Sequence, residues 1–566
     1  MGENKKIRIE SRIMKDGREY CFCELEGAKR VTPLENIAAH LKAKGEDNNF
    51  DAVLSADGRV VRRGGTEIPY SVLPDKERLI VQELRDFVDN DADYSIALVS
   101  GIRQTGKTTA LMQLLISYPG SVYINLAAEG VDFETVESKF LENPTKLLLL
   151  DEITHLSDFE QEAQLLFNLA VDKGFKIIVT GSSPAHIVKL WRSSVGGGRS
   201  RLYRLPPVKF VEYLYLTGRI QNYRDYENIS NDCFTDYLFL KDLKKLRVQF
   251  DGTYFKDYYD VTVTGNNMRY LSHSLVGLNS NDLTNICNLL AYKLNEACSY
   301  DSAVSPDKPG KAEHNNVPAE IRAGTPKYRD IDLSDAILCD SIAGAAPMSA
   351  EDKGRILSFF LWSGLACVEY RKIGAQQTLT DIGTIVWGLE KCKNDTELRK
   401  LFDEVSICLT TPLFYTRLGA DFLRLMNFDI EYLCHSKGYL LGKMLEVYLR
   451  GAVAMLYEQT ILTSIKLDYI GSPQNESGEV DIYASELGLM CESSKGNKGR
   501  GGEKPVSIPK YMKDIDLIRV CSSADRTETI SGVHHIPYAK LCCMVDTGDI
   551  LAIERTKGYG FLDSNT

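Results

Sequence analysis

Residues Gly101-Ile102-Arg103-Gln104-Thr105-Gly106-Lys107-Thr108-Thr109 set two glycines, a lysine and hydroxyls at the spacing of a phosphate-binding (P-loop, Walker A) loop. Glycines let the main chain curl so that successive N–H groups face phosphate oxygens. Lys107 then reaches the β- and γ-phosphates, and the Thr108 hydroxyl suits a magnesium ion. Further along, "KLLLLDEI" closes an apolar run with Asp151 and Glu152, a Walker B pattern. There Asp151 can hold magnesium, directly or through water, and Glu152 can orient and deprotonate an attacking water, which permits hydrolysis. The hydroxyls of Thr180, Ser182 and Ser183 after "KIIV" either meet the γ-phosphate or satisfy the main chain at a turn. Arg199 and Arg201 in "GGGRSRLYRLPP" either stabilise charge on a transferred phosphoryl group, in cis or from a neighbouring subunit, or are plain surface arginines.

These side chains need a scaffold that brings distant segments to one edge. Four short apolar runs, "SIALVS", "SVYINLA", "KLLLLDE" and "KIIVTGSS", are apolar at nearly every position, and amphipathic helical stretches separate them. Strands of that kind are buried on both faces, as in a parallel sheet with helices on either side. Such sheets hold their ligands at the carboxyl ends of the strands. The expected fold is therefore an α/β P-loop NTPase domain over residues 76–215. Residues 1–75 alternate apolar and polar in short pieces with glycine turns, which predicts a small β-rich module with one helix near residues 34–45.

After residue 216 that rhythm ends. Residues 301–320 are polar and proline-rich, an expected flexible loop in an otherwise helical region 216–430. In "DKGRILSFFLWSGLACVEY" a helix runs into a strand. The segment "GKMLEVYLRGAVAMLYEQT" reads as a long helix, with alternating strands after it, which predicts a separate α/β domain over residues 431–566.

A chain of 566 residues exceeds one core, so about three or four domains are expected. With 44% hydrophobic and 26% charged residues it has the balance of an ordinary globular protein. A net charge of -11 and a pI near 5.5 argue against wholesale attraction to nucleic acid but leave room for a local basic face. The polar start and the lack of an apolar run of roughly 18 residues predict a cytoplasmic protein with no membrane partner. The 14 cysteines lack metal-knuckle spacing and read as reduced structural thiols. His534 and His535 are adjacent, so in a strand they face opposite sides and cannot share a metal. His155 reads as a residue of an exposed helix start, and the 29 tyrosines form no stacking platform.

"GIRQTGKTT", "LLLLDE", "IIVTGSS", "GGGRSRLYRLPPVKFVEYL" and the later "GKMLEVYL", "GEVDIY", "CESSK" and "IPY" occur in an order that resembles predicted prokaryotic AAA-type ATPases (AAA+ superfamily, STAND-like archaeal and bacterial). The resemblance spans residues 76–566 and is strongest over 96–215. It implies ATP with magnesium as the ligand, in keeping with the lack of an Asn-Lys-x-Asp element for guanine. It favours Arg199 over Arg201 as the γ-phosphate arginine and implies a helical or winged-helix segment after the ATPase core. The last domain is similar to the restriction-endonuclease fold, whose site needs an Asp on one strand and Glu-x-Lys on the next, holding metal ions against a phosphodiester.

Asp481 and Glu492 match the first two of those positions, Ser494 replaces the lysine, and Lys495 lies one residue further, on the opposite face of a strand. Glu446 on the preceding helix would complete a second metal site. The domain is then either a metal-dependent nuclease or a fold kept for binding. The basic run "SSKGNKGRGGEK" either tracks a phosphate backbone or is a solvated loop. The sequence thus predicts an ATP-driven switch whose partner is DNA or a protein, with a homo-oligomer where Arg199 acts from a neighbour. The alternative is an ATPase-gated DNA-binding protein or nuclease of the mobile-element or phage-defence type.

Overall fold

The computed structural model describes residues 7–25, 28–44, 52–54, 60–62, 68–101, 105–127, 147–153, 159–181, 184–192, 200–240, 349–362, 364–370, 382–412, 438–460, 467–470, 480–493, 515–525 and 527–557. They divide into two compact units, Met1–Pro206 and Pro207–Thr566.

Short alternating segments at the amino end form an antiparallel meander of β1 (Ile7–Lys15), β2 (Arg18–Leu25) and β3 (Ala28–Pro33). The first turn is tight enough to hold Asp16 and Gly17 at φ 51° and 76°. Helix α1 (Leu34–Lys44) buries Ile37 and Leu41 against Ile9, Cys21 and Cys23. Strands β4 (Ala52–Leu54) and β5 (Val60–Arg62) pair with each other, and β6 (Tyr70–Val72) runs parallel to β1.

Next come α2 (Leu79–Asp89), β7 (Ile96–Ser100), α3 (Lys107–Ser117), β8 (Val122–Asn125), β9 (Leu147–Asp151), α4 (Phe159–Lys173), β10 (Lys176–Gly181), α5 (Pro184–Arg192) and β11 (Ser200–Arg204). The five strands β7 to β11 are mutually parallel in the order β11-β7-β10-β9-β8. Alternate side chains explain why all four apolar runs are needed. Leu98, Leu148, Leu150, Ile177 and Val179 pack with Leu166 and Phe167 of α4 and Ile187 of α5. Their neighbours Val99, Leu147, Leu149 and Ile178 pack on the other face with Leu84 of α2 and Leu111 and Leu114 of α3. Both faces are dry, so the strands are apolar at nearly every position short of their ends.

The sheet does not stop at residue 75. Lys29 of β3 pairs antiparallel with Tyr123 of β8, so the meander extends the parallel sheet to nine strands, β11-β7-β10-β9-β8-β3-β2-β1-β6.

The second unit contains α6 (Phe210–Leu216), α7 (Asp232–Leu238), α8 (Ala350–Trp362), β12 (Ala366–Tyr370), α9 (Ile382–Lys391), α10 (Asp395–Phe402), β13 (Val405–Leu409) and α11 (Gly438–Thr460). Then follow β14 (Leu467–Ile470), β15 (Val480–Ala484), β16 (Leu489–Glu492), β17 (Ile518–Ser523), β18 (Glu528–Ile530), β19 (Val533–Pro537) and α12 (Tyr538–Thr547). Eight strands form one mixed sheet, β13-β12-β14-β15-β16-β17-β19-β18. Because β12 pairs with β14, through Glu369 and Leu467, this sheet also crosses the expected boundary at residue 430. Of the expected helical and winged-helix-like stretch, residues 241–348 and 413–437, with the loop 301–320, lie outside the described residues. Among the described residues no helix is long and apolar enough to cross a membrane.

Two buried polar groups hold this unit together. Arg450 of α11, with a side chain 2% exposed, pairs with Glu369 of β12 at 3.3 Å and with Glu446 at 2.7 Å. Asp546 of α12 caps α6: it accepts from the Val211 N–H at 3.0 Å and from the Tyr448 hydroxyl, which itself accepts from the Phe210 N–H at 2.7 Å. The rings of Phe210, Phe234 and Tyr237 each stand edge to face with the ring of Tyr448.

Burial pushes the Asp546 carboxyl up to about 6, against the pull of Lys209 and its hydrogen bonds. The folded chain therefore keeps this proton over a window in which the unfolded chain has lost it. Stability falls as pH rises from about 4 to about 6 and levels off above, a change of about 2–3 kcal/mol. Asp546→Asn should flatten that segment of a plot of unfolding midpoint against pH. An unchanged slope would count against the assignment.

Candidate active site

Strand β7 ends at Ser100, and the chain bends at Gly101 against the end of β11. The Leu205 N–H donates to the Ser100 carbonyl at 2.7 Å. A Cβ on Gly101 would lie 2.7 Å from the Leu205 carbonyl oxygen, so only glycine fits at this junction. Gly106 caps α3 with φ 92°, a left-handed value that glycine adopts without strain. No side chain caps the first turn of α3, and the positive end of the helix dipole lies behind its N–H groups. Lys107 is buried and its ammonium donates to the Gly101 carbonyl at 2.8 Å, so the loop closes on its own start. Ile102, Arg103 and Gln104 lie outside the described residues.

Asp151, at the last position of β9 and 2% exposed, gathers three hydroxyls. Thr108 donates to its Oδ2 at 2.8 Å, Tyr123 to the same oxygen at 2.9 Å, and Thr180 to Oδ1. The Thr180 hydroxyl also accepts from the Glu152 N–H at 3.4 Å, so it links the side chain of Asp151 to the main chain of Glu152. Glu152 is half-buried and stands at φ 60°, a region that costs an L residue about 1–3 kcal/mol and that clusters at functional sites. Thr109, on the first turn of α3, is half-buried. Thr108 and Asp151 present hard oxygen donors within 2.8 Å of each other, the chemistry that a magnesium ion takes.

Two further side chains at this edge carry no motif in the sequence. Tyr123 is one tyrosine among many until β8 and β9 pair and turn it toward Asp151. Arg78, just before α2, donates to the Thr105 carbonyl at 2.7 Å and to the Pro206 carbonyl at 3.0 Å, tying the phosphate loop to the chain beyond β11. No spacing rule singles out that arginine. Of the two arginines that were singled out, Arg201 pairs with Asp91 at 3.2 Å and lies beside Ala97, three residues back from the carboxyl end of β7. It is therefore held away from the phosphate loop. Arg199, Ser182, Ser183 and His155 lie outside the described residues.

In the second unit, β15 and β16 pair antiparallel with Ile482 against Cys491, and the same register sets Asp481 across from Glu492. The Ser493 N–H and hydroxyl both donate to Asp481 Oδ2, at 2.7 and 2.9 Å. Glu446 does not join them as a ligand group: Arg450 holds it, and among the described residues no cluster of three or more His, Cys, Asp or Glu side chains could hold a metal. An arginine one helical turn away on the same face claims the carboxylate. Ser494, Lys495 and the rest of the basic run to Lys504 lie outside the described residues. His534 Nε2 donates to the Glu554 carbonyl at 3.1 Å and its Nδ1 meets the Thr529 hydroxyl at 3.0 Å, while His535 faces inward, its pKa lowered by burial.

Solved structures to which parts of the chain are similar include the ORC2 protein of Aeropyrum pernix in ADPNP–ADP complexes, at 13% identity over 39% of this chain and 75% of that one, TM-score 0.21. Others are the replication initiator DnaA bound to AMPPCP and single-stranded DNA, at 15% over 49% and 82%, TM-score 0.23, and Cdc6p from Pyrobaculum aerophilum, at 15% over 59% and 96%, TM-score 0.21. No curated protein matches this chain. The family model described as an AAA domain matches residues 93–214, the segment that carries the phosphate loop, Asp151 and the parallel strands, so the first unit contains a P-loop AAA-type α/β domain.

Proposed function

We propose that the first unit is a magnesium-dependent ATPase that works as a nucleotide-driven switch. One observation carries this: the Thr108 hydroxyl meets the Asp151 carboxylate at 2.8 Å beside the positive end of α3, with Glu152 next in the chain. The first N–H groups of α3 and the Lys107 ammonium bind the phosphates, which requires Lys107 to leave the Gly101 carbonyl for the ligand. Thr108 and Asp151 hold magnesium, which when bound withdraws charge from the phosphate oxygens. Glu152 takes a proton from the attacking water, and Thr180 fixes the Asp151–Glu152 pair from the neighbouring strand. An arginine such as Arg199, supplied by a neighbouring copy, would stabilise the charge that develops. ATP is favoured over GTP by the family resemblance. The purified chain should release phosphate from ATP with magnesium and stop in excess chelator, and no nucleotide-dependent signal under either condition would refute the reading.

A second reading concerns the last strands. The antiparallel register that faces Asp481 with Glu492 supports a restriction-endonuclease-like arrangement, and the Glu446–Arg450 pair favours its use as a DNA- or protein-binding body over a cutting one. Incubation with duplex and single-stranded DNA plus manganese, comparing wild type with Asp481→Ala, decides between them. Metal-dependent cutting lost in the variant would restore the nuclease.

A further inference from the structure

Three elements meet at Tyr123. Its hydroxyl donates to Asp151 Oδ2 at 2.9 Å, its main chain pairs with Lys29 of β3, and its ring stands edge-on to Phe22 of β2 with centroids 5.9 Å apart. The ammonium of Lys29 lies 5.4 Å from the Phe22 ring centre and pairs with Glu10 at 2.7 Å, so the edge that touches Tyr123 is itself braced. A buried tyrosine needs some acceptor for its hydroxyl, and any carbonyl would serve. Here the acceptor is the carboxylate oxygen that Thr108 also uses. Two donors on Oδ2 and one on Oδ1 leave Asp151 little freedom to turn, which favours a metal ligand held ready before the metal arrives.

We infer that Tyr123 is a positioning residue for the magnesium-binding carboxylate of Asp151, and that the amino-terminal strands β2 and β3 hold it there, so that the meander sets the magnesium affinity of the ATPase site. This rests on the ATPase reading above. On this inference the amino-terminal meander is a cis-acting brace on the metal site, reached through one tyrosine.

The test uses the full chain and a fluorescent ATP analogue, titrating magnesium at fixed nucleotide, with the thermal midpoint of the protein alone as a control. Tyr123→Phe keeps the ring against Phe22 and removes only the hydroxyl. The magnesium concentration at half-saturation should rise about tenfold, equivalent to about 1.4 kcal/mol, while nucleotide binding in chelator stays near wild type and the thermal midpoint falls only by the few degrees that one lost hydrogen bond costs. Phe22→Leu keeps apolar volume but removes the aromatic edge and should raise the same half-saturation about threefold. An unshifted half-saturation in Tyr123→Phe overturns the positioning role. A shift there with none in Phe22→Leu overturns the part given to the meander. Absence of any nucleotide binding in the wild type is a different result, which defeats the ATPase reading and this inference with it.

Discussion

Lys107→Ala should weaken ATP binding by about a hundredfold, since it removes the buried ammonium at the loop and with it about 3 kcal/mol of charge-assisted contact. Glu152→Gln should do the reverse: it binds ATP as the wild type does and turns over roughly a hundred to ten thousand times more slowly, the range that a lost general base costs. The pair separates binding from chemistry at one site. Equilibrium binding and single-turnover phosphate release measure the two effects, and full turnover by both variants would refute the site. Glutamine inherits the left-handed backbone at this position, so Glu152→Gln should leave stability unchanged. Glu152→Gly should relieve that backbone and gain about 1 kcal/mol, and on the ATPase proposal it should lose turnover with the carboxylate.

The second large effect lies far along the chain from the phosphate loop. Arg450→Met should destabilise the second unit by about 3–5 kcal/mol, because it strands two buried carboxylates, Glu369 and Glu446, without their cation. Methionine preserves much of the volume, so the loss is electrostatic and not a cavity. Replacing both carboxylates with glutamine in the same variant should recover most of it, since a neutral buried site costs less than an unpaired charge. Urea unfolding followed at the second unit reads both. A loss below about 1 kcal/mol in Arg450→Met would mean that water or metal already satisfies those carboxylates, and would bring Glu446 back as a candidate ligand.

Local chemistry made the phosphate loop and the acidic strand end legible. Gly101, Gly106, Lys107, Thr108, Asp151 and Glu152 are short-range patterns whose residue types have few other uses together, and "KLLLLDE" announces a doubly buried strand because both its faces are dry. The same logic made β11 invisible: at the sheet edge "SRLYR" shows a broken pattern, with Arg201 exposed and Tyr203 buried, which resembles a loop. The meander of β1 to β3 was readable as β structure, yet nothing in its residues says that Lys29 will pair with Tyr123, because strand pairing depends on partners far apart in the chain.

Residue order alone singled out Gly101 to Thr109, Asp151 and Glu152, and gave the α/β character of the segment that carries them. It took the folded arrangement to bring Tyr123 and Thr180 together on Asp151, to clamp the loop to Pro206 through Arg78, and to give Glu446 to Arg450 and to no described metal cluster. The reason is physical. A loop motif works through neighbours in the chain, whereas a second donor to a buried carboxylate, or a buried cation claiming it, is chosen by which strands and helices come to lie side by side.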